Sequence, residues 1–328
     1  MGAGGSNKVY AVCMSLRLAG QWVWDSWFVK DQDTYHAFYL QASRALGDPN
    51  RRHRNVSVGH AISKDLVNWT VITDALAISD SPAFDSYTTW TGSVVRNEDG
   101  KWFMFYTGTS REDGGDIQSI GAATSDDLIT WTKVSNEALV RADERWYAKL
   151  DISQWHDEAF RDPWVFKFAP TDDTWHMLVT ARGKGGPGFN SGVMGHATST
   201  DLLNWTLHEP LSKVGAGFGE TEVFQYEIVD GVPIILFCCS HRWISDERKS
   251  RETGGVYSLV VNSDLTDIDI SRSVCFEVPD LYASRLVQGP DGSWNLIGFW
   301  NEPNGEFVGE LSDPIPVSAD PIRGLVRR

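Results

Sequence analysis

Short runs rich in β-branched and aromatic residues recur along the chain between clusters of polar turn residues, with little apolar periodicity of the helical kind. Five of these runs read as strands: "HAFYLQA", "WFMFYTG", "WHMLVTA", "PIILFCC" and "WNLIGFW". Four follow a polar turn, "KDQDT", "NEDGK", "PTDDT" or "GPDGS", and "VDGV" introduces the other. With Ala37, Met104, Met177, Ile235 and Leu296 as equivalent anchors, successive runs lie 67, 73, 58 and 61 residues apart.

A second series interleaves with the first. "VGHAISKDLVNWT" starts at Val58, "IGAATSDDLITWT" at Ile120 and "MGHATSTDLLNWT" at Met194. A phrase recurring at steps of 62 and 74 residues marks one supersecondary unit used several times. Five units of this length predict an all-β fold, a single five-bladed β-propeller with four-stranded antiparallel blades. The repeated phrase is then the third strand of a blade with the turn after it. Trp69, Trp131 and Trp205 pack between blades, Asp65, Asp127 and Asp201 cap the turns, and both sets are structural. One domain is expected over residues 1–328. Its blades occupy about 20–301, residues 302–328 form a tail placed to close the ring, and no C-terminal β-sandwich follows. An irregular β-sandwich is the alternative, against which the repeat count argues.

Charge narrows the partners. Lys and Arg total 29 against 44 Asp and Glu, a formal charge of −15. Such a surface repels nucleic acid and anionic lipid, so a neutral small-molecule partner is expected. The four cysteines, Cys13, Cys238, Cys239 and Cys275, have no zinc-ligand spacing and suggest no disulfide framework. No apolar run approaches the length of a membrane span, and no leader pattern is visible, so a cytoplasmic location is expected. "RGKGGPGF" lacks the ending of a phosphate-binding loop and reads as a flexible rim loop. Neither a cofactor nor a metal is expected.

The unusual acids remain. Asp25 sits among tryptophans in "QWVWDSWFVK", where an unpaired carboxylate is poorly solvated. It lies 12 residues before Ala37; Asp162 lies 15 before Met177, and Glu222 13 before Ile235. Equivalent offsets land on Thr91 in "TTWTGS" and Ala283 in "LYASR". Three blades therefore each deliver one carboxylate to the innermost strand, near the propeller axis. Converging carboxyls suit glycoside chemistry, in which one protonates the leaving oxygen and another attacks the sugar or activates water. Glu220, two residues before Glu222 in "ETE", faces the same way and is expected to keep a proton on its neighbour. Arg161 is placed to restrain an acid, and Trp22, Trp24, Trp27, Trp90 and Trp164 offer faces for sugar rings. His241, Arg242 and Tyr282 are candidates for the rim.

These motifs resemble those of the five-bladed propeller enzymes of glycoside hydrolase families 32 and 68, which include levansucrases, invertases and β-fructofuranosidases. "VWDSW" is similar to the family 68 nucleophile motif, which implies a nucleophile at Asp25 and a substrate contact at Trp24. "WTGS" resembles Trp-Ser-Gly-Ser, with Thr91 replacing serine after Trp90. "FRDP" matches the motif whose aspartate stabilises the transition state, here Asp162, with Arg161 beside it. "ETE" looks like the Glu-x-Glu segment, implying Glu222 as acid/base and Glu220 in substrate binding. "EVFQ" follows where the families have Glu-Cys-Pro or Glu-Arg-Pro, a departure that bears on leaving-group recognition. The resemblance implies double displacement with retention on β-fructofuranosides, ending in hydrolysis or transfer. Two alternatives stand beside it: an inverting, family 43-like arabinofuranosidase or xylosidase with Asp25 as general base, and a non-catalytic carbohydrate-binding propeller.

Overall fold

The computed structural model describes residues 16–186 and 188–328; Cys13 and "MGAGGSNKVY" lie outside the described residues. Five antiparallel sheets follow one another along the chain, each running in sequence order from an inner to an outer strand. The inner strands are Gln21–Asp31, Thr88–Arg96, Phe160–Phe166, Glu222–Val229 and Leu281–Gln288. These five pack against one another, as the innermost strands of a five-bladed β-propeller must. The five apolar runs are the second strands, Thr34–Ser43, Trp102–Thr109, Trp175–Arg182, Val232–Cys239 and Trp294–Trp300.

The repeated phrase supplies the third strands Ser57–Ser63, Gln118–Ser125 and Gly192–Ser199. Its Asp closes the following turn by accepting from two backbone amides. Asp65 Oδ1 takes those of Val67 and Asn68, at 2.9 and 2.7 Å. Asp127 and Asp201 repeat the arrangement. Each turn also holds a leucine at positive φ, Leu66, Leu128 or Leu202, whose carbonyl accepts from the Trp indole three residues on. Trp131 meets Phe38 of the preceding blade edge-on, and Trp205 meets Phe105 in the same way, so each indole seals a joint between blades.

Residues after Asn301 belong to the fifth sheet. Ile315–Asp320 and Gly324–Arg327 are its third and fourth strands. Contacts between the first and fifth blades close the ring. Leu311 bridges Leu16, the Val23 amide donates to the Gly309 carbonyl at 2.8 Å, and Arg44 donates to the Val308 carbonyl at 2.8 Å.

Two of the tryptophans expected to serve as sugar platforms are instead core. Trp27 is fully buried and stacks on Phe38, and Trp22 packs beside Phe307. Position along the strand explains this: Trp22 shares a face with Trp24 but lies two residues farther from the bulge, beside Phe307, and Trp27 lies two residues beyond the bulge, against Phe38. Trp27→Ala is accordingly expected to lose about 3–5 kcal/mol of stability, read from denaturant unfolding. A Trp27→Ala protein as stable as wild type but unable to bind sugar would return that residue to the binding surface.

Candidate active site

All five inner strands carry a bulge at one height. The residue before it pairs with the second strand three positions after the anchor: Trp24 with Leu40, Trp90 with Thr107, Arg161 with Thr180, Glu222 with Cys238, Tyr282 with Phe299. The extra residue is Asp25, Thr91, Asp162, Val223 or Ala283, and four of these five have positive φ, from 30° to 59°. Such bulges re-aim side chains, and they gather at active sites. Asp tolerates this backbone region, whereas a β-branched residue such as Val223 is strained there.

This refines the register expected from sequence. Glu222 is not equivalent to Asp25 and Asp162; it stands one place earlier, at the position of Arg161 and Tyr282 in their blades. These three therefore meet. Arg161 Nη2 donates to Glu222 Oε1 at 2.6 Å, and the Tyr282 hydroxyl donates to Glu222 Oε2. Asp25 and Asp162 occupy the bulge proper. Thr91 donates its hydroxyl to Asp25 Oδ2, and Thr180 donates to Asp162 Oδ2 at 2.9 Å.

Threonines hold the bulges together. Thr107 Oγ1 donates to the Thr91 carbonyl at 3.1 Å and accepts from the Asp162 amide at 2.8 Å. Thr180, at the same register one blade on, also accepts from the Val223 amide at 3.2 Å. Below them Arg285, 1% exposed, crosses the channel. It donates to the carbonyls of Phe224 at 2.6 Å, Val223 at 3.3 Å and Gly92 at 3.3 Å, tying the second, fourth and fifth blades together.

A cavity of about 420 Å³ opens above these groups. Its lining includes every residue singled out from the motifs: Trp24, Asp25, Trp90, Thr91, Arg161, Asp162, Glu220 and Glu222. Arg242 and Tyr282 also line it. Trp164 does not belong here: it lies under Arg285 in a separate cavity toward the other end of the inner strands, with Tyr35 and Glu227.

Burial dominates the electrostatics. Loss of solvation pushes Asp25 up to about 6, against the opposing Thr91 hydrogen bond and the charges of Arg52 and Arg285. It pushes Asp162 up to about 7, with Arg161 opposing. Arg161 itself stays firmly protonated among Glu220, Glu222, Asp162 and Asp157. Its Nη2 also binds Glu220 Oε2, while Trp155 Nε1 donates to Glu220 Oε1 at 2.7 Å. Glu220 is thereby held below its usual range despite its burial. The Arg161 guanidinium stands between Glu220 and Glu222 and pairs with both.

Several lining residues carry no signal in the sequence. Arg52, His53 and Arg54 come from a short 3-10 helix, Pro49–Arg54, and "RRHR" reads in sequence as a solvated charge run. His156, Asp157 and Trp243 come from irregular connections and a short turn. Among the described residues, His156, Asp157 and Glu220 present potential metal-ligand atoms within 4.8 Å of one another. Two of the three are already engaged, Glu220 by Arg161 and Trp155, and Asp157 by Gln118 at 2.6 Å.

A five-bladed propeller with a carboxylate-lined channel mouth is one recognisable class of protein, and sequence comparison places the chain within it. Residues 25–308 match the family model "Glycosyl hydrolases family 32 N-terminal domain", and the chain belongs to that family. It is 24% identical over 289 residues to β-fructofuranosidase, insoluble isoenzyme 2, of Daucus carota, covering 81% of this chain and 44% of that one. It is 27% identical over 197 residues to sucrose-6-phosphate hydrolase of Bacillus subtilis (strain 168), covering 59% and 34%. The chain thus spans less than half the length of these curated relatives. The structure of inulosucrase from Halalkalicoccus jeotgali bound to kestose shares the fold, with a TM-score of 0.77 at 20% identity over 97% of this chain and 90% of that one.

The raised carboxyls carry a stability cost. Asp25 ionises in the fold only above about 6, against about 4 in an unfolded chain, so its contribution to stability falls as pH rises through that window. Asp25→Asn is expected to raise Tm by a few degrees at about pH 7.5, with the gain shrinking toward zero near about pH 4. A lower Tm for the variant at neutral pH would show that the Thr91 hydrogen bond outweighs the desolvation.

Proposed function

We propose that the chain is a glycoside hydrolase or transglycosylase acting on β-fructofuranosides through a glycosyl-enzyme on Asp25. One observation carries the reading: Asp25, Asp162 and Glu222 line one cavity in distinct settings, two desolvated at the bulge and one held between Tyr282 and Arg161. Membership of the family and the names of the curated relatives support the substrate class.

In the first step an Asp25 oxygen attacks C2 of the fructosyl unit. The bond from C2 to the leaving oxygen breaks, and Glu222 gives that oxygen its proton. Tyr282 and Arg161 fix the direction of the Glu222 carboxyl, which the transfer requires. Asp162, restrained by Thr180, faces the positive charge developing on the ring. In the second step the oxygen of water or an acceptor sugar attacks C2, Glu222 takes its proton, and the bond to Asp25 breaks. Configuration at C2 is retained through the two displacements.

Charge favours a neutral sugar over a phosphorylated one. The cavity lining carries seven carboxyls (Asp25, Asp116, Asp157, Asp162, Glu220, Glu222, Glu302) against four guanidinium groups (Arg52, Arg54, Arg161, Arg242). Three of those guanidiniums are already paired, Arg54 with Asp116, Arg161 with Glu220 and Glu222, and Arg242 with Glu302.

Fructose and glucose release from sucrose and 1-kestose, wild type against Asp25→Ala, tests the reading. Release by the wild type and its loss in the variant is the expected result; no release from either sugar by the wild type would end the proposal. Sucrose 6-phosphate is expected to be turned over less efficiently than sucrose, and the reverse preference would refute the charge argument. As Asp25 must be ionised to attack, kcat/KM is expected to fall as pH drops through about 6. Glu222→Gln is expected to slow sucrose far more than an aryl fructoside whose leaving group needs no proton. Equal losses on both would remove Glu222 from the acid role.

A further inference from the structure

The geometry points to Arg52 as a substrate-binding and positioning residue of this cavity, donating a hydrogen bond to a hydroxyl of the glycosyl unit on Asp25 and setting a positive charge opposite that carboxyl. This rests on the glycosidase reading above and adds to it a residue that none of the motifs contains.

Arg52 differs from every other arginine lining the cavity. Arg54 is spent on the Gly115 carbonyl at 2.9 Å and on Asp116, Arg161 on Glu220 and Glu222, and Arg242 on Glu302. Arg52 has no carboxylate within salt-bridge distance among the described residues. Only its Nη1 is engaged, on the Pro49 carbonyl at 2.9 Å, and its Nε is enclosed without any acceptor. An enclosed donor left unmatched costs about 1–3 kcal/mol, and Nη2 of the same guanidinium, which also donates to nothing among the described residues, is left for a ligand hydroxyl in the cavity that Arg52 lines.

The side chain is also held ready. Its guanidinium lies 3.8 Å over the Phe307 ring and 5.5 Å from that of Trp24, two planes that limit its rotamers. The turn carrying it is fixed against the second blade, with Trp90 Nε1 donating to the His53 carbonyl at 2.9 Å. Four groups act on Asp25: Thr91 by hydrogen bond, Glu222 by like charge, and Arg52 and Arg285 by opposite charge; Asp25 in turn acts on Asp162 by like charge. Arg285 is committed to backbone carbonyls beneath the site, so Arg52 is the cation of this set that is free to touch a sugar. A single guanidinium facing an ionising carboxylate matches a hydroxyl, which accepts from it without adding charge.

Arg52→Met and Arg52→Lys separate the two parts of the role. With sucrose or 1-kestose, Arg52→Met is expected to lower kcat/KM by about 10- to 100-fold, with KM raised. Its acidic limb should move to higher pH, because a charge favouring ionised Asp25 is gone. Arg52→Lys keeps the charge but not the planar Nε–H fork, so its limb stays near that of wild type while KM remains raised. An Arg52→Met enzyme with wild-type kcat/KM and an unmoved limb overturns the inference. So does a loss of folding in both variants, which would make Arg52 a packing residue. A wild type inactive on both sugars sinks the glycosidase reading itself, an outcome distinct from an active wild type indifferent to Arg52.

Discussion

The bulge made at one height by all five inner strands is the constraint on which the site depends. A regular strand would send alternate side chains to its two faces and leave the channel mouth lined without selection. One extra residue, at positive φ in four of the five blades, turns Asp25 and Asp162 toward the axis and leaves the preceding residue free to reach sideways. That offset brings Arg161, Glu222 and Tyr282 into contact although they come from the third, fourth and fifth blades. The Thr107 and Thr180 hydroxyls each bridge two neighbouring bulges, so strain in one blade is borne by the next.

Concentrating carboxyls at this height sets the second requirement. Each ionised group withdrawn from water costs several kcal/mol after relaxation (order of magnitude) unless it is paired. Two answers coexist here. Glu220 is fully compensated by Arg161 and Trp155 and stays ionised. Asp25 and Asp162 are only partly compensated, and their affinity for protons rises into the neutral range. Arg285 supports them from below through charge alone, because its donors are used on backbone carbonyls.

Much of this architecture is legible in the order of residues along the chain. The anchors Ala37, Met104, Met177, Ile235 and Leu296 are equivalent in the pairing register, since each second strand meets the pre-bulge residue three positions later. Their apolar runs and polar turns are local signals, and a repeated blade prints them repeatedly. Counting back from an anchor puts Glu222 one residue out, because hairpin turns differ in length and the count cannot locate a bulge. The two strands within the tail go unread because the outer strands of the fifth blade do not carry the repeated Asp-Leu and Trp-Thr phrase. "RRHR" gives no hint of the cavity, because a charged turn looks the same whether it faces solvent or a ligand.

Sequence alone therefore determined the number of blades and the second and third strands that repeat in them, and it singled out residues that line one cavity, because blade periodicity and short motifs are written in neighbouring positions. Only the tertiary structure decided which groups touch. Arg161 stands between Glu220 and Glu222, Trp27 and Trp164 lie outside the cavity, and Arg52 lines it. Such contacts join residues dozens to hundreds of positions apart, and they depend on how five sheets twist around one axis, which no local pattern records.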